Sequence, residues 1–109
     1  GERAARLPRL LGELPTRRIL VRTLLLLKRA WARRRLPRRA MAASERILLL
    51  EPGSLVEQRD RGLLAREVGD RKQAISDLRG YLEHRPDALD ASRIARLLSA
   101  LEREERGEA

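Results

Sequence analysis

The chain has no cysteine and no phenylalanine, and one Trp and one Tyr are its whole aromatic complement. Without cysteine there are no disulfides, no thiolate nucleophile and no cysteine-ligated zinc. With so few aromatics the core falls to Leu, Ile, Val and Ala, which favours packed helices over sheets, where aromatic and β-branched residues are enriched. Long apolar runs are missing too. Leu24–Leu27 and Ile47–Leu50 are among the longest, and a bilayer-spanning helix needs about 20 such residues. No membrane partner is therefore expected. The arginine-rich start has no continuous apolar stretch behind it, so no signal peptide is expected and the cytoplasm is the expected location. A length of 109 residues suits one domain with a modest core. Gly1 in place of an initiator Met predicts a fragment or a processed product.

What the chain does have is arginine, 23 of its 25 basic residues, and a net charge of +9. The charge is uneven. Residues 1–52 hold 14 Lys and Arg against 4 Asp and Glu, whereas residues 53–109 hold 11 against 12. The first half therefore predicts a basic surface suited to an acidic partner. Solvated faces with local ion pairs are the plainer alternative.

The punctuation is helical. Leu7–Leu14 reads as a short helix ended by Pro15, and Thr16 caps a longer one running to about Arg34, with Ile19, Leu20, Leu24, Leu27 and Trp31 along one side. Pro37 suits a first helical turn, and Ala40, Ser44, Ile47 and Leu48 keep helical spacing until Glu51-Pro52-Gly53. Ser54 with Glu57 reads as a capping box opening Leu55–Val68, and Gly69 suits a left-handed helix end. Asp70 with Gln73 repeats the box and starts a helix through His84. Asp87 caps a last helix from Ala88 to about Glu104, burying Leu89, Ile94, Leu97, Leu98 and Leu101.

Within this run, Ala40 recurs at Ala74 and Pro52 at Pro86, an offset of 34 residues. That is the length of one tetratricopeptide (TPR) helix–turn–helix unit. The reading is an all-α domain of TPR-like antiparallel helix pairs, about five helices in a short right-handed superhelical array. Its units fall at about 21–54 and 55–88 within a domain over 16–104. A capping helix 88–104, an N-terminal capping segment 1–15 and a polar tail 105–109 complete it. Gly62 stands where the first helix of the second unit needs a small residue for close helix approach. In the first unit Lys28 and Ser44 stand at the positions of Gly62 and Leu78. The run Leu24–Leu27 widens the apolar arc of its helix beyond what one repeat partner covers. A second contact is expected there: the short N-terminal helix, an absent domain or a symmetric copy.

The stretch Arg59-Asp60-Arg61-Gly62-Leu63-Leu64, with Gly69-Asp70, Ala74, Asp77-Leu78 and Tyr81-Leu82, resembles the C-terminal TPR region of SirB-type transglutaminase-like proteins. Ile19-Leu20-Val21-Arg22, Leu24, Leu27-Lys28 and Trp31 are similar to the helix that precedes it there, and the likeness covers roughly residues 17–83. It departs at Leu26, where that family tends to carry asparagine, and at Ser44, where it carries an aromatic or large aliphatic residue. The resemblance implies a bacterial protein with a papain-related, transglutaminase-like domain N-terminal to these residues. The catalytic cysteine of such a domain is not within this chain.

No catalytic, metal or cofactor site is expected. His84, the single histidine, has only carboxylates such as Glu83 nearby and no second His or Cys at ligand spacing. Ser76 stands eight residues before it, with no Gly-x-Ser-x-Gly turn, and no glycine-rich phosphate loop exists. The expectation is a non-catalytic protein-interaction module. First helices of TPR pairs line the concave face. Arg22, Arg29 and Arg33 share a side of the first, Arg59 and Arg66 repeat the seven-residue spacing on the second, and Arg93 follows Arg59 by 34. Together they predict a basic groove for a protein, an acidic peptide or a neighbouring domain. Pairing with local acids, Arg59 with Glu67 or Asp60 for instance, is the alternative. Arg33-Arg34-Arg35 with Arg38-Arg39 supports a second functional reading, a nucleic-acid-binding helical domain, though no aromatic platform accompanies them.

Overall fold

The structure is a computed structural model that describes residues 15–108. It consists of α1 (Pro15–Arg33), α2 (Pro37–Leu50), α3 (Leu55–Val68), α4 (Arg71–His84) and α5 (Ala91–Glu105), with no strand among the described residues. Each helix packs on the next in chain order, α1 on α2 through to α4 on α5. The all-α expectation holds. The helix expected over Leu7–Leu14, with the N-terminal capping role given to it, lies outside the described residues.

Local chemistry sets most of the boundaries. Pro37 opens α2 at a position where its missing N–H costs nothing. Ser54 accepts from the Glu57 N–H at 3.2 Å and Asp70 from the Gln73 N–H at 3.2 Å, so both N-caps form. Gly69 closes α3 at φ 85°, and the Asp70 N–H reaches back to the Ala65 carbonyl at 2.8 Å. The reciprocal half of the Ser54 box is absent: the Glu57 side chain turns inward to Lys28 and Ser44. The last helix also differs from expectation. Asp87 caps nothing, α5 begins at Ala91, and Leu89 stays fully exposed in the turn before it. Asp90 occupies the N-cap position, yet its carboxylate goes to Arg59 and Tyr81 instead of the helix.

The continuous apolar core lies mostly within the second unit and α5: Ala65, Ala74, Ile75, Leu78, Tyr81, Ile94, Leu98 and Leu101, joined by Met41 of α2. Gly62 is what lets α3 and α4 approach. A Cβ there would stand 2.9 Å from Asp77 Cβ and 3.0 Å from Leu78 Cδ2. Asp77, itself buried, accepts two bonds of 2.8 Å from the Arg61 guanidinium, which raises the Arg61 pKa further.

The first unit solves the same crossing differently. Where the second has small Gly62 and large Leu78, the first has large Lys28 and small Ser44, 34 residues earlier in each case. Lys28 lies buried and donates to Glu57 at 2.6 Å and Asp60 at 2.9 Å, both on α3. Ser44 of α2, fully buried, donates to the same Glu57 oxygen at 2.6 Å. One carboxylate thus joins three helices. Arg17 adds a tie between the ends of α1 and α2 by donating to the Leu50 carbonyl at 2.9 Å through Nε.

This inward turn of Lys28 and Val21 corrects the expected stripe of α1. Leu24 and Trp31 are half-buried, but Ile19, Leu20 and Leu27 are exposed. Among the described residues α1 has neighbours on one side only, and that side is taken by Val21, Lys28, Leu24 and Trp31.

Two glycine substitutions separate packing from helix propensity. Gly62→Ala is expected to lower unfolding free energy by about 1–2 kcal/mol, because overpacking of the α3–α4 crossing exceeds the helix-propensity gain. At Gly80 a new Cβ would meet only the flexible Gln58 amide, so Gly80→Ala is expected to be neutral or stabilising by up to about 1 kcal/mol. Chemical denaturation of both variants checks the difference in sign. For the polar cluster, Lys28→Met is expected to cost about 3 kcal/mol by stranding the Glu57 charge. Glu57→Gln added to it should cost far less than it does alone; strict additivity in the double-mutant cycle would show that the two groups are not coupled.

Candidate interaction surface

The three arginines expected to share a side of α1, Arg22, Arg29 and Arg33, are all exposed, and none has a carboxylate within ion-pair distance among the described residues. Arg66 in the last turn of α3 and Arg93 near the start of α5 are exposed in the same way. Beside Arg29, an open hollow of about 210 Å³ lies between α1 and α3, lined by Lys28, Ala32, Asp60, Leu63 and Leu64.

Arg59 is placed differently. Its guanidinium donates to Asp60 at 2.9 and 3.1 Å and to Asp90 at 3.0 Å, and lies 5.8 Å from the centre of the Tyr81 ring. Partial burial alone would lower its pKa, but the two carboxylates outweigh that and hold it above its ordinary value. The Tyr81 hydroxyl donates to Asp90 at 2.7 Å. That bond and burial push the Tyr81 phenol above its usual range, while the same bond, with Arg59, holds Asp90 below the ordinary 3.8. The chain Ser44–Glu57–Lys28–Asp60–Arg59–Asp90–Tyr81 therefore runs through all five helical layers, and Arg59 belongs to it. Of the six arginines named from the sequence, five face solvent and one ties α3 to the start of α5.

The Arg59–Asp60 pair was legible as a local ion pair, whereas the inward role of Glu57 and the part played by Asp90 were not. A signal for the first of these was present: Lys28 interrupts the stripe between Leu24 and Trp31, and Glu57 and Asp60 stand three apart on the helix that faces it. Nothing comparable marks Asp90, which lies 31 residues from Arg59.

For chemistry the described residues offer little. No group of three or more His, Cys, Asp or Glu side chains among them is placed to hold a metal. His84 is exposed, with Nδ1 2.8 Å from the Gly80 carbonyl of its own helix. A cleft of about 540 Å³ between α4 and α5 is rimmed by Lys72, Arg79, Glu83 and Glu102, whose charges offset one another. Arg33, Arg34, Arg35, Arg38 and Arg39 are all exposed around the α1–α2 turn, with Arg35 in the left-handed region at φ 59°.

The Asp90 ties give a pH dependence with a definite sign. A carboxylate whose folded pKa is depressed stabilises the fold above its unfolded value, and loses that contribution as pH falls through the folded value. Asp90→Asn is therefore expected to cost about 1 kcal/mol at neutral pH, the scale of a partly exposed charge-assisted bond. The gap to the wild type should close as pH falls below 3.8. Thermal melts of both proteins between neutral pH and pH 3 check it; a gap that widens on acidification would contradict the assignment.

Helix pairs repeated at 34 residues, closed by glycine and proline, have counterparts among known proteins. Residues 27–99 match the tetratricopeptide repeat family. A UPF0162 protein of Xylella fastidiosa (strain Temecula1 / ATCC 700964) is 39% identical over 80 residues, which are 73% of this chain and 28% of that protein. The chain thus spans little more than a quarter of the length of that relative. No solved structure matches. No helix among the described residues is long and apolar enough to cross a membrane. The match covers more than half of the chain, from the second half of α1 into α5, and by it the chain belongs to the tetratricopeptide repeat family.

Proposed function

We propose that this chain is a non-catalytic protein-docking module whose partner is acidic, and that it forms the C-terminal region of a larger bacterial, cytoplasmic, transglutaminase-like protein. TPR domains generally mediate protein–protein interaction and are typically non-catalytic. The observation that carries the acidic partner is the division among the arginines. Arg59 and Arg61 are committed to Asp60, Asp90 and Asp77, whereas Arg22, Arg29 and Arg33 stand exposed along α1 with no acid beside them among the described residues. Guanidinium groups in that state can donate bidentately to carboxylates and steer an acidic surface toward them. The larger parent is supported by the resemblance over residues 17–83 and by the relative that extends well beyond the matched region. In that setting the acidic surface belongs either to a separate protein or to the neighbouring domain of the same polypeptide.

The exposed arginines around the α1–α2 turn support the second reading, phosphate-backbone binding. One experiment separates the two. In affinity capture from a lysate of the source organism, a discrete protein partner is expected to survive nuclease treatment. It should be lost at least about tenfold from the Arg22→Glu/Arg29→Glu protein, because charge reversal at a rim changes both steering and pairing. Disappearance of all captured material on nuclease treatment would favour nucleic acid, and capture indifferent to the reversal would remove the arginine row from the interface.

A further inference from the structure

The arginine row borders an apolar surface with its own period. On α1, Ile19, Thr23, Leu26 and Ala30 follow one another at steps of four, three and four residues, the spacing of a two-stranded helical seam. Ile19 is 62% and Leu26 60% exposed, and Leu20 and Leu27, each one residue after a seam position, are 44% and 39% exposed. Arg22 and Arg29 stand one residue before the seam positions Thr23 and Ala30, which in heptad terms is the flank that selects partners by charge. Arg33 takes the next seam position after Ala30 and ends the apolar run.

This face lies opposite the inward side of α1, where Val21 and Lys28 are buried. Among the described residues it is the open end of the array. The other end is finished differently: α5 buries Ile94, Leu98 and Leu101 and turns Ser92, Arg93, Arg96, Ser99 and Arg103 to solvent. Repeat arrays need such a polar outer face on a terminal element, and α1, the first helix among the described residues, does not have one.

We propose that the outer face of α1 docks one helix of a protein partner, with a leucine- or isoleucine-rich stripe bordered by Glu or Asp. The apolar stripe seats on Ile19, Leu20, Leu26 and Leu27, and the acidic border meets Arg22 and Arg29. The proposal rests on the acidic-partner reading above and adds to it the helical form of the partner and the apolar seam. Charge selects this occupant over two others. A second copy of the chain laid antiparallel would bring Arg22 and Arg29 against their own counterparts, and laid parallel would stack Arg33 on Arg33. Residues 1–14, with Leu7, Leu10, Leu11 and Leu14 at helical spacing, carry Arg3, Arg6 and Arg9 against Glu2 and Glu13, a net positive charge beside an arginine border.

Three synthetic helical peptides of about three heptads each test it by fluorescence anisotropy against the intact chain. The first has a leucine stripe and a glutamate border, the second the same stripe with a lysine border, the third an alanine stripe with the glutamate border. The first is expected to bind at least about tenfold tighter than either of the others. Leu26→Glu should abolish its binding while leaving the melting temperature unchanged, since Leu26 is exposed. Arg22→Glu/Arg29→Glu should reverse the preference between the first two peptides. Equal binding of the two glutamate peptides would leave the acidic-partner reading standing and overturn the helical seam. Equal binding of the two leucine peptides would leave the apolar seam standing and overturn the acidic border, and with it the acidic-partner reading. Failure of all three to bind would overturn the proposal. A dimer in sedimentation velocity that Leu26→Glu dissolves would then give the face to a second copy, and peptide binding gained only on Leu10→Glu/Leu11→Glu would give it to the chain's own first residues.

Discussion

The first unit is attached to the second through a charge. Lys28 leaves the inward face of α1 and reaches two carboxylates of α3, and one of these, Glu57, also takes the Ser44 hydroxyl from α2. Half of the residues the first unit turns inward are small, Ala40, Ala43 and Ser44 beside Val21, Met41 and Ile47, and only Met41 of them joins the continuous apolar core. A long cation filling the crossing that Gly62 and Leu78 fill in the second unit keeps the volume while changing the chemistry. Buried ion clusters add little net stability over a well-packed apolar replacement, yet removing one member is costly. The cluster therefore acts as a register mark. It allows one placement of α1 and α2 on α3 and penalises the sliding that small apolar contacts would tolerate.

The network continues along the array by the same means. Asp60 shares itself between Lys28 and Arg59, Arg59 passes to Asp90, and Asp90 takes the Tyr81 hydroxyl. Two of these links, Lys28 to Asp60 and Arg59 to Asp90, skip a helix, so α1, α3 and the start of α5 are held in line by polar groups while α3, α4 and α5 share most of the apolar core. The side chains with the greatest apparent promise as binding groups in the middle of the array are spent on this task.

That division explains what could be read from the sequence. The helix ends were legible wherever the determinant is local: Pro37, Ser54, Gly69 and Asp70 act within four residues of themselves. The 34-residue offset was legible because both units must form the same crossing, and Gly62 showed which partner in it is small. Asp87 and Asp90 mark the limit. Both are plausible caps by local rules, and the choice between them, with the start of α5 and the exposure of Leu89, follows from an arginine 31 residues away. The inward face of α1 is likewise set from a distance in sequence. Counting apolar residues favours Ile19, Leu20 and Leu27, but Lys28 is drawn in by Glu57 and Asp60, and the helix turns with it.

Turning Lys28 inward has a consequence on the opposite side. An α-helix that commits Val21 and Lys28 to its neighbours must present Ile19, Thr23, Leu26 and Ala30 away from them. The ion cluster that joins the first unit to α3 thereby also sets which residues of α1 face away from the other described helices, and it sets Arg22 and Arg29 along their border. Had α1 rotated to bury its most apolar arc, the arginines would border no such seam and Lys28 would be a solvated side chain. The internal polar network and the exposed face of α1 are two results of one rotation.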